Sequence, residues 1–265
     1  MNRLSAHLGY LYTELPLAER LAAAARDGFT AVEHPAPYAI AAPEMRRRLG
    51  DLGLGFAQIT SGMGNPGEKG LAALPGREDD FRAGFLRARD YAAEVGIPFV
   101  HPMAGVPGVA PSDSPGWAET YHANIAWSLT QLDGFDQRLL VEAITIPGYA
   151  MPSLAAAIAL QDAYPGAIAL LLDSFHAATL GEDAPAWIAV HGARIGHVHI
   201  ADHPGRHEPG TGRLDFAALL GALAKAPYGG AIGFEYIPST STAESLRFLP
   251  GWIAALSQPA TGAKS

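Results

Sequence analysis

The amino-acid sequence predicts one domain, a (β/α)8 TIM barrel of the α/β class that spans residues 1–265. A short apolar run followed by a helical stretch recurs eight times, in a chain of about the length usual for this fold. The apolar runs lack a regular alternation with polar residues, which is typical of parallel strands covered on both faces. A doubly wound open sheet is the alternative, but no GxGxxG motif follows the first strand, so its dinucleotide-binding form lacks support.

The first half of the chain contains four strand–helix units, whose apolar runs end at glycine, proline or polar residues. The predicted strands cover Leu4–Gly9, Ala31–His34, Leu54–Ile59 and Phe99–His101. The helices that follow them are predicted over Pro16–Arg26, from Pro43 to near Gly50, over Glu78–Val95, and from after Pro115 to Leu132. Proline suits the first turn of a helix, and Gly28 suits the left-handed residue that ends one.

The second half repeats the pattern. Its predicted strands cover Leu139–Glu142, Ile168–Asp173, Ile195–Ile200 and Ala231–Glu235. Its predicted helices cover Ser153–Ala163, Ala184–Val190, Asp215–Leu223 and Ala243–Leu256. No linker rich in proline, glycine or serine divides the chain, so one domain is the simpler interpretation.

Composition excludes several classes of function. The net charge of −8 argues against a nucleic acid or an anionic membrane as a partner. Cysteine is absent from the sequence, which excludes a disulfide framework and a thiolate metal site. Apolar runs such as residues 167–172 are far shorter than a membrane span, and the first residues are too polar for a signal peptide. We therefore expect a cytoplasmic location.

The last four predicted strands each end in an ionisable residue: Glu142, Asp173, His199 and Glu235. In a (β/α)8 barrel these positions converge at one mouth, where active sites are built. Three carboxylates and an imidazole would repel one another there and lose hydration, whereas a divalent cation would neutralise charge and accept lone pairs. The oxygen-rich set favours Mg²⁺ or Mn²⁺ over Co²⁺ or Zn²⁺. Taken singly, each residue could instead cap a helix or form an ion pair.

Two further histidines accompany this set. His197 faces the same side of its strand as His199, because strand side chains alternate with a period of two. It is interpreted either as a second inward-facing group or as a hydrogen-bonded core histidine, and His199, nearer the strand end, is the predicted ligand. His176 lies in the predicted loop after the sixth strand, where it could contact a substrate or remain solvated.

Several segments, in their order and spacing along the chain, carry a family resemblance: Phe29–Glu33, Ala73–Glu78, Met103–Gly105, Val141–Ala143, Asp173–His176, His207–Gly212 and Glu235–Tyr236. The chain resembles the hydroxypyruvate isomerase family, within the xylose-isomerase-like TIM barrels. The resemblance implies a metal-dependent aldose–ketose isomerisation of a small hydroxy-oxo acid, either hydroxypyruvate to tartronate semialdehyde or a 2-oxo-tetronate. It maps the metal and catalytic pattern onto Glu142, Asp173, His199 and Glu235, with the two glutamates as acid/base pair.

The chemistry of such an isomerisation agrees with these residues. A proton moves between adjacent carbons through an enediolate, so the reaction needs a base beside the substrate and an electrophile at its oxygens. A metal ion supplies the electrophile, and carboxylates across the mouth can take and return the proton.

The loop after the seventh strand supplies the predicted substrate contacts Arg206, His207 and Glu208. Arg206 is the natural partner of a substrate carboxylate, because a guanidinium binds one through two hydrogen bonds. Its alternative is a surface ion pair with Asp202 or Glu208. A second, Gly-rich loop over residues 61–70 is interpreted as a mobile lid or as a plain surface loop, since it lacks the GKS or GKT ending of a phosphate-binding loop.

Three polar positions depart from the family pattern. The chain has His199 where several hydroxypyruvate isomerases have Gln, Ile237 where the family often has Lys, and Gln58 in place of an Asn. These changes leave the metal chemistry intact but alter groups that would bind the acid end of a substrate. Lys69 could take the place of the missing lysine, and its alternative is a solvated surface lysine.

Other functions compete with this one. A ketose 3-epimerase with the same metal set and a longer, neutral pocket is the alternative. A barrel that binds a metal or sugar acid without turnover is a third hypothesis, against which stands the presence of all four metal residues. A nuclease on the same fold would need a basic groove, which the net charge of −8 disfavours. The expected partner is a small sugar acid or sugar, and a homo-oligomer is left open.

Overall fold

The computed structural model of the protein describes residues 3–107 and 116–257. Within these ranges, nine parallel strands form one curled sheet in the order β3-β2-β1-β9-β8-β7-β6-β5-β4. The strands are β1 Leu4–His7, β2 Ala31–Glu33, β3 Gly55–Phe56, β4 Ile59–Ser61, β5 Phe99–Pro102, β6 Arg138–Glu142, β7 Ile168–Asp173, β8 Ile195–Ile200 and β9 Ile232–Phe234. The predicted TIM barrel is confirmed.

The third strand of the barrel is broken into β3 and β4, so its prediction as one strand over Leu54–Ile59 is wrong in detail. Because β3 pairs with β2 and β4 pairs with β5, both edges of the sheet belong to one short segment of the chain. The break lies at Ala57 and Gln58, and the Ala57 N–H still donates to the Val32 carbonyl at 2.8 Å. The chain therefore closes the barrel at this point.

Helices follow the strands and cover the outer face of the sheet. In the described ranges they are α1 Leu17–Arg26, α2 Ala42–Leu52, α3 Glu78–Val95, α4 Trp117–Gln131, α5 Leu154–Ala163, α6 Ser174–Thr179, α7 Ala184–His191, α8 Phe216–Lys225, α9 Thr242–Ser245 and α10 Leu249–Ser257. Side-chain caps begin several of them, as where Ser153 accepts from the N–H of Ala156 and Asp215 accepts from that of Ala218. None of these helices has the length and apolar character that crossing a membrane requires.

Three helix predictions differ from the structure. The segment after β7 is predicted as a loop, but α6 begins there because Asp173 accepts hydrogen bonds from the N–H groups of Phe175 and His176. The C-terminal stretch is predicted as one helix, yet a 3₁₀ turn separates α9 from α10, and Pro250, which lacks an N–H, lies just after it. α2 runs past Gly50 and ends before Gly53, whose φ of +67° is left-handed. Pro115, the predicted start of the fourth helix, lies outside the described residues.

The inside of the barrel holds an apolar layer below a polar mouth. Leu140, Ala169 and Leu171 are buried together there, with Phe99 packed against them. Because strand side chains alternate, Leu140 and Leu171 face the same interior as Glu142 and Asp173, two residues further along β6 and β7. The apolar layer therefore forms the floor on which the polar groups of the mouth lie.

A bulge at Gly196 sets the register of β8. Leu170 pairs with Ile195 but Leu171 pairs with His197, so Gly196 is an extra residue in β8. The shift places His199 opposite Asp173. A Cβ at position 196 would lie 2.6 Å from Cβ of Ala169 and 2.8 Å from the Phe99 ring, so only glycine fits there without a shift. Without the bulge, the histidines would face the other side of the sheet.

We expect Gly196→Ala to lower the free energy of unfolding by about 1–3 kcal/mol, because its methyl group overpacks the barrel floor. Gly221→Ala is the matched control, since a Cβ there meets nothing within 4 Å. That change in α8 should leave stability unchanged or raise it. Urea denaturation of both variants measures the difference, and equal stabilities would contradict this account of the bulge.

Candidate active site

Four residues at the ends of four consecutive strands converge at the mouth of the barrel. Glu142, Asp173, His199 and Glu235 each offer one ligand atom, and these atoms all lie within 4.8 Å of one another. Glu142, Asp173 and His199 are buried, and the Glu235 side chain is 13% exposed. The structure thus brings together the four residues that the sequence predicts as metal ligands.

The contacts within this group suit a bound cation. Nδ1 of His199 lies 2.5 Å from Oε2 of Glu235, and Oε1 of Glu142 is buried without a hydrogen-bond partner. Buried polar atoms without a partner are costly and rare. Two potential ligand atoms, Nδ1 of His199 and Oε2 of Glu235, therefore lie side by side, as expected of two ligands of one ion. The donor chemistry, three carboxylates and one imidazole, fits Mg²⁺ or Mn²⁺.

Glu33, at the end of β2, fixes the orientation of His199. Its Oε2 accepts hydrogen bonds from Nε2 of His197 at 2.8 Å and from Nε2 of His199 at 2.9 Å, and Gln58 donates to the same oxygen at 3.2 Å. The Glu33 side chain is fully buried, and the two histidines hold its pKa well below the ordinary value although burial acts to raise it. With Nε2 engaged, His199 turns Nδ1 toward the other three residues of the cluster, an arrangement typical of metal-binding histidines.

Gly233 makes room for this contact across the barrel. A Cβ on Gly233 would lie 2.2 Å from Oε1 of Glu33 and 2.8 Å from Nε2 of His197. The glycine in β9 therefore allows a carboxylate from β2 to reach β8. His197, which the sequence leaves open between two interpretations, is a buried histidine hydrogen-bonded to Glu33.

The two glutamates of the cluster differ in their electrostatics. Burial and the neighbouring charge of Glu235 raise the pKa of Glu142 well above its ordinary value. Burial acts in the same direction on Glu235, but the charges of His199 and Arg206 outweigh it and hold its pKa well below the ordinary value. Burial also opposes a charge on His199, yet the carboxylates of Glu235 and Glu33 raise its pKa. Opposite pKa shifts in two neighbouring carboxyl groups, here Glu142 and Glu235, are typical of acid/base pairs.

A cavity of about 170 Å³ opens above the cluster. Besides Glu142, His199 and Glu235, its lining includes polar and cationic residues from strand ends, loops and α6: His7, Tyr10, Gln58, Thr60, Lys69, His101, His176 and Arg206. Sequence reasoning missed Glu33, His7, Tyr10 and His101. A signal was present for three of them, because His7, Glu33 and His101 lie at or next to the ends of their strands, as the four predicted ligands do.

Arg206 reaches into the cavity from the loop after β8. Its Nη2 donates to Glu235 Oε1 at 2.8 Å and lies 3.3 Å from Asp173 Oδ2. The guanidinium lies between the rings of Tyr10 and Phe175, at 5.4 and 5.5 Å from their centres. Its partners are therefore members of the cluster rather than the surface acids that the sequence offers as its alternative. Its buried Nε has no hydrogen-bond partner.

His176 lines the same cavity from α6. The backbone N–H of Thr145 donates to Nδ1 of His176 at 3.3 Å, and the Thr145 hydroxyl lies 2.7 Å from the same nitrogen. Because Nδ1 accepts, the ring proton of the neutral imidazole is on Nε2, which lies 3.8 Å from Oδ2 of Asp173. His176 can therefore donate a hydrogen bond into the mouth.

The other two predicted substrate contacts, His207 and Glu208, are not among the residues that line the cavity. Nδ1 of His207 lies 2.7 Å from the Ile237 carbonyl, and Glu208 accepts hydrogen bonds from the hydroxyl and N–H of Ser239. Both side chains thereby fasten the loop after β8 to the loop after β9. Asp202 stabilises the same loop by accepting from four backbone N–H groups, including that of Gly212.

We expect Glu33→Gln to weaken Mn²⁺ binding to the metal-free protein by about 10- to 100-fold, because the negative charge that orients His199 is lost. Isothermal titration calorimetry measures the affinity. Glu44→Gln is the matched control, since Glu44 pairs with Arg47 and Arg48 on the exposed face of α2. Equal affinities of the two variants would contradict the role assigned to Glu33.

The chain is similar to known proteins over nearly its full length. A 2-oxo-tetronate isomerase of Cupriavidus necator is 36% identical over 260 residues, which cover 96% of this chain and 98% of that protein. A hydroxypyruvate isomerase of Escherichia coli K12 is 30% identical over 259 residues, covering 94% and 98%. A crystal structure of AP endonuclease, family 2, from Brucella melitensis has a TM-score of 0.87 at 31% identity, covering 94% of this chain and 99% of that one.

The family model for xylose isomerase-like TIM barrels matches residues 21–252, most of the chain. Together with the nearly full-length likeness to its curated relatives, this match identifies the chain as a member of the hydroxypyruvate isomerase family of xylose isomerase-like TIM barrels, a family of isomerases.

Proposed function

We propose that the protein is a divalent-metal-dependent aldose–ketose isomerase of a small hydroxy-oxo acid. Its substrate is hydroxypyruvate, which gives tartronate semialdehyde, or a 2-oxo-tetronate. The observation that carries the proposal is the convergence of Glu142, Asp173, His199 and Glu235, with ligand atoms within 4.8 Å, at the base of one small cavity. The relatives that are named for these two reactions support the substrate class.

The four residues of the cluster would hold the cation. Oε1 of Glu142 has no hydrogen-bond partner, and Nδ1 of His199 faces Oε2 of Glu235, another proposed ligand, so both atoms can act as ligands. Oδ1 of Asp173 accepts from the N–H groups of Phe175 and His176, so Oδ2, which Nη2 of Arg206 approaches at 3.3 Å, is the oxygen that faces the site. A bound Mg²⁺ or Mn²⁺ would supply an electrophile that stabilises negative charge on the substrate oxygens.

Glu142 and Glu235 carry the proton between the two carbons. One carboxylate takes the proton from the hydroxyl-bearing carbon, and a carboxyl group returns a proton to the former carbonyl carbon, while a hydroxyl proton passes between the two oxygens. No oxidant is required, since the substrate and product are isomers. Arg206 holds Oε1 of Glu235 at 2.8 Å and so orients the carboxylate, and His176 offers an N–H to a substrate oxygen.

The cavity favours a small acid over the alternative functions. A volume of about 170 Å³ and the cationic side chains of Lys69 and Arg206 suit a three- or four-carbon acid better than a free ketose, for which a longer and neutral pocket is expected. A nuclease, as named for the Brucella melitensis structure, would need to attract a phosphate backbone, which the net charge of −8 opposes.

The test of this function is metal-restored turnover. We expect protein stripped with a chelator to regain isomerase activity with Mn²⁺ or Mg²⁺, and to exchange deuterium into hydroxypyruvate or a 2-oxo-tetronate in D₂O, followed by NMR. Glu142→Gln and Glu235→Gln should each lower kcat by about 10²- to 10⁴-fold, the range for general acid–base groups. Glu244→Gln, on the exposed face of α9, is the control. Exchange into free ketoses alone would favour the epimerase instead, and exchange without metal would contradict the metal dependence.

Cation binding should release protons, because metal ligands must be deprotonated. Glu142 is one source, because burial and the charge of Glu235 raise its pKa, and His199 is another, because its two carboxylate neighbours raise its pKa. The apparent affinity therefore falls as the pH is lowered and rises as it is increased.

Calorimetry of Mn²⁺ binding in buffers of different ionisation enthalpy counts these protons. Glu142→Gln should release fewer protons than the wild type. Binding whose heat is independent of the buffer would contradict the assignment.

A further inference from the structure

Lys69 is a cation at the mouth that has no carboxylate partner. Among the described residues, two side chains that are positively charged at neutral pH line the cavity, Lys69 and Arg206. Arg206 is matched by Asp173 and Glu235. Within residues 3–107 and 116–257, no carboxylate lies within ion-pair distance of Lys69, whose side chain is exposed. Its positive charge is therefore available to a ligand.

The neighbours of Lys69 hold it in place from both sides. Glu68 accepts from Arg77 at 2.8 Å and from the N–H of Asn65, so the acid next to Lys69 is already engaged. On the other side, Gly70 forms an isolated antiparallel bridge with Ala104. Lys69 thus projects from a loop that is fastened at both of its flanking residues.

Glycine is required for this fastening. Gly70 has a left-handed φ of +113°, and a Cβ there would lie 2.4 Å from the Met103 carbonyl oxygen. A Cβ on Gly105 would lie 2.3 Å from the Gly70 carbonyl oxygen. The backbone at Gly70 packs directly against the backbone at Met103 and Gly105. This close packing holds the backbone of Lys69 at the edge of the cavity.

The charges of the mouth leave Lys69 as the partner of an acid. The three carboxylates of the cluster are balanced by a divalent cation and Arg206, and Glu33 adds one more buried negative charge. A substrate carboxylate entering this site needs a positive charge that is not already paired.

We propose that Lys69 binds the carboxylate of the substrate and thereby selects hydroxy-oxo acids over neutral hydroxy-ketones. This inference rests on the proposed isomerase function. It places the acid end of the substrate at the edge of the cavity, beneath the Gly-rich loop of residues 61–70. The reacting carbons then lie deeper, between Glu142 and Glu235. The interpretation of that loop as a mobile lid stays a prediction.

The test compares Lys69→Met with Lys69→Arg in the metal-loaded enzyme. We expect Lys69→Met to raise KM for hydroxypyruvate by about 10- to 100-fold, the effect of losing one charge-assisted hydrogen bond. Its kcat should change by less than about threefold, because the binding contact is the same in ground and transition states. Lys69→Arg should restore most of the affinity. The inhibition constant of dihydroxyacetone, a neutral three-carbon hydroxy-ketone, should be unchanged in both variants.

Lys225→Met is the matched control, because Lys225 lies at the end of α8, away from the mouth. An unchanged KM in Lys69→Met would overturn the inference. So would an equal loss of affinity for dihydroxyacetone, which would indicate damage to the loop rather than loss of an ion pair. Wild-type protein that turns over no acid would overturn the proposed function together with Lys69, whereas an active wild type with an unaffected Lys69→Met overturns Lys69 alone.

A binding measurement provides a second readout without turnover. The sequence contains three lysines, Lys69, Lys225 and Lys264, so reductive ¹³C-methylation gives few NMR signals. Addition of hydroxypyruvate should shift the signal that is missing in Lys69→Met and leave that of Lys225 in place. A Lys69 signal that does not move at saturation would contradict direct contact with the acid.

Discussion

The mouth of the barrel depends on the buried carboxylate of Glu33. An isolated charge without hydration would be strongly destabilising there, so it must be matched by donors. His197, His199 and Gln58 supply them, all to one oxygen. In return the carboxylate determines which nitrogen of His199 is free, and thus the direction in which the imidazole faces the other members of the cluster. Gly233 and the bulge in β8 are the local adjustments that allow this contact.

A second buried acid organises the loop after β8. Asp202 accepts four backbone hydrogen bonds from the loop after β8, and a Cβ on Gly212 would lie 2.5 Å from its carboxylate. The loop so formed holds Arg206 with a left-handed φ of +58°, unusual for a residue other than glycine. From there its guanidinium reaches Asp173 and Glu235. Glu33 thus orients His199. Asp202 holds the loop from which the Arg206 guanidinium contacts Asp173 and Glu235.

The barrel and the convergence of Glu142, Asp173, His199 and Glu235 could be predicted because both follow from local periodicity and from the shared direction of parallel strands. The role of Glu33 could not, since its partner His197 is 164 residues away in the chain. The break in the third strand and the bulge in β8 depend on barrel closure and on contacts across the interior. The orientations of His207 and Glu208 depend on loop contacts with the segment after β9, and a motif alone carries no such information.

The central claim is that the converging carboxylates and His199 form one divalent-cation site. Anomalous diffraction from crystals grown with Mn²⁺ tests it most directly. The account predicts one strong peak at the mouth, within coordination distance of Glu142, Asp173, Nδ1 of His199 and Glu235. A peak between Glu33 and His197, or none in protein that is active without added metal, would contradict it.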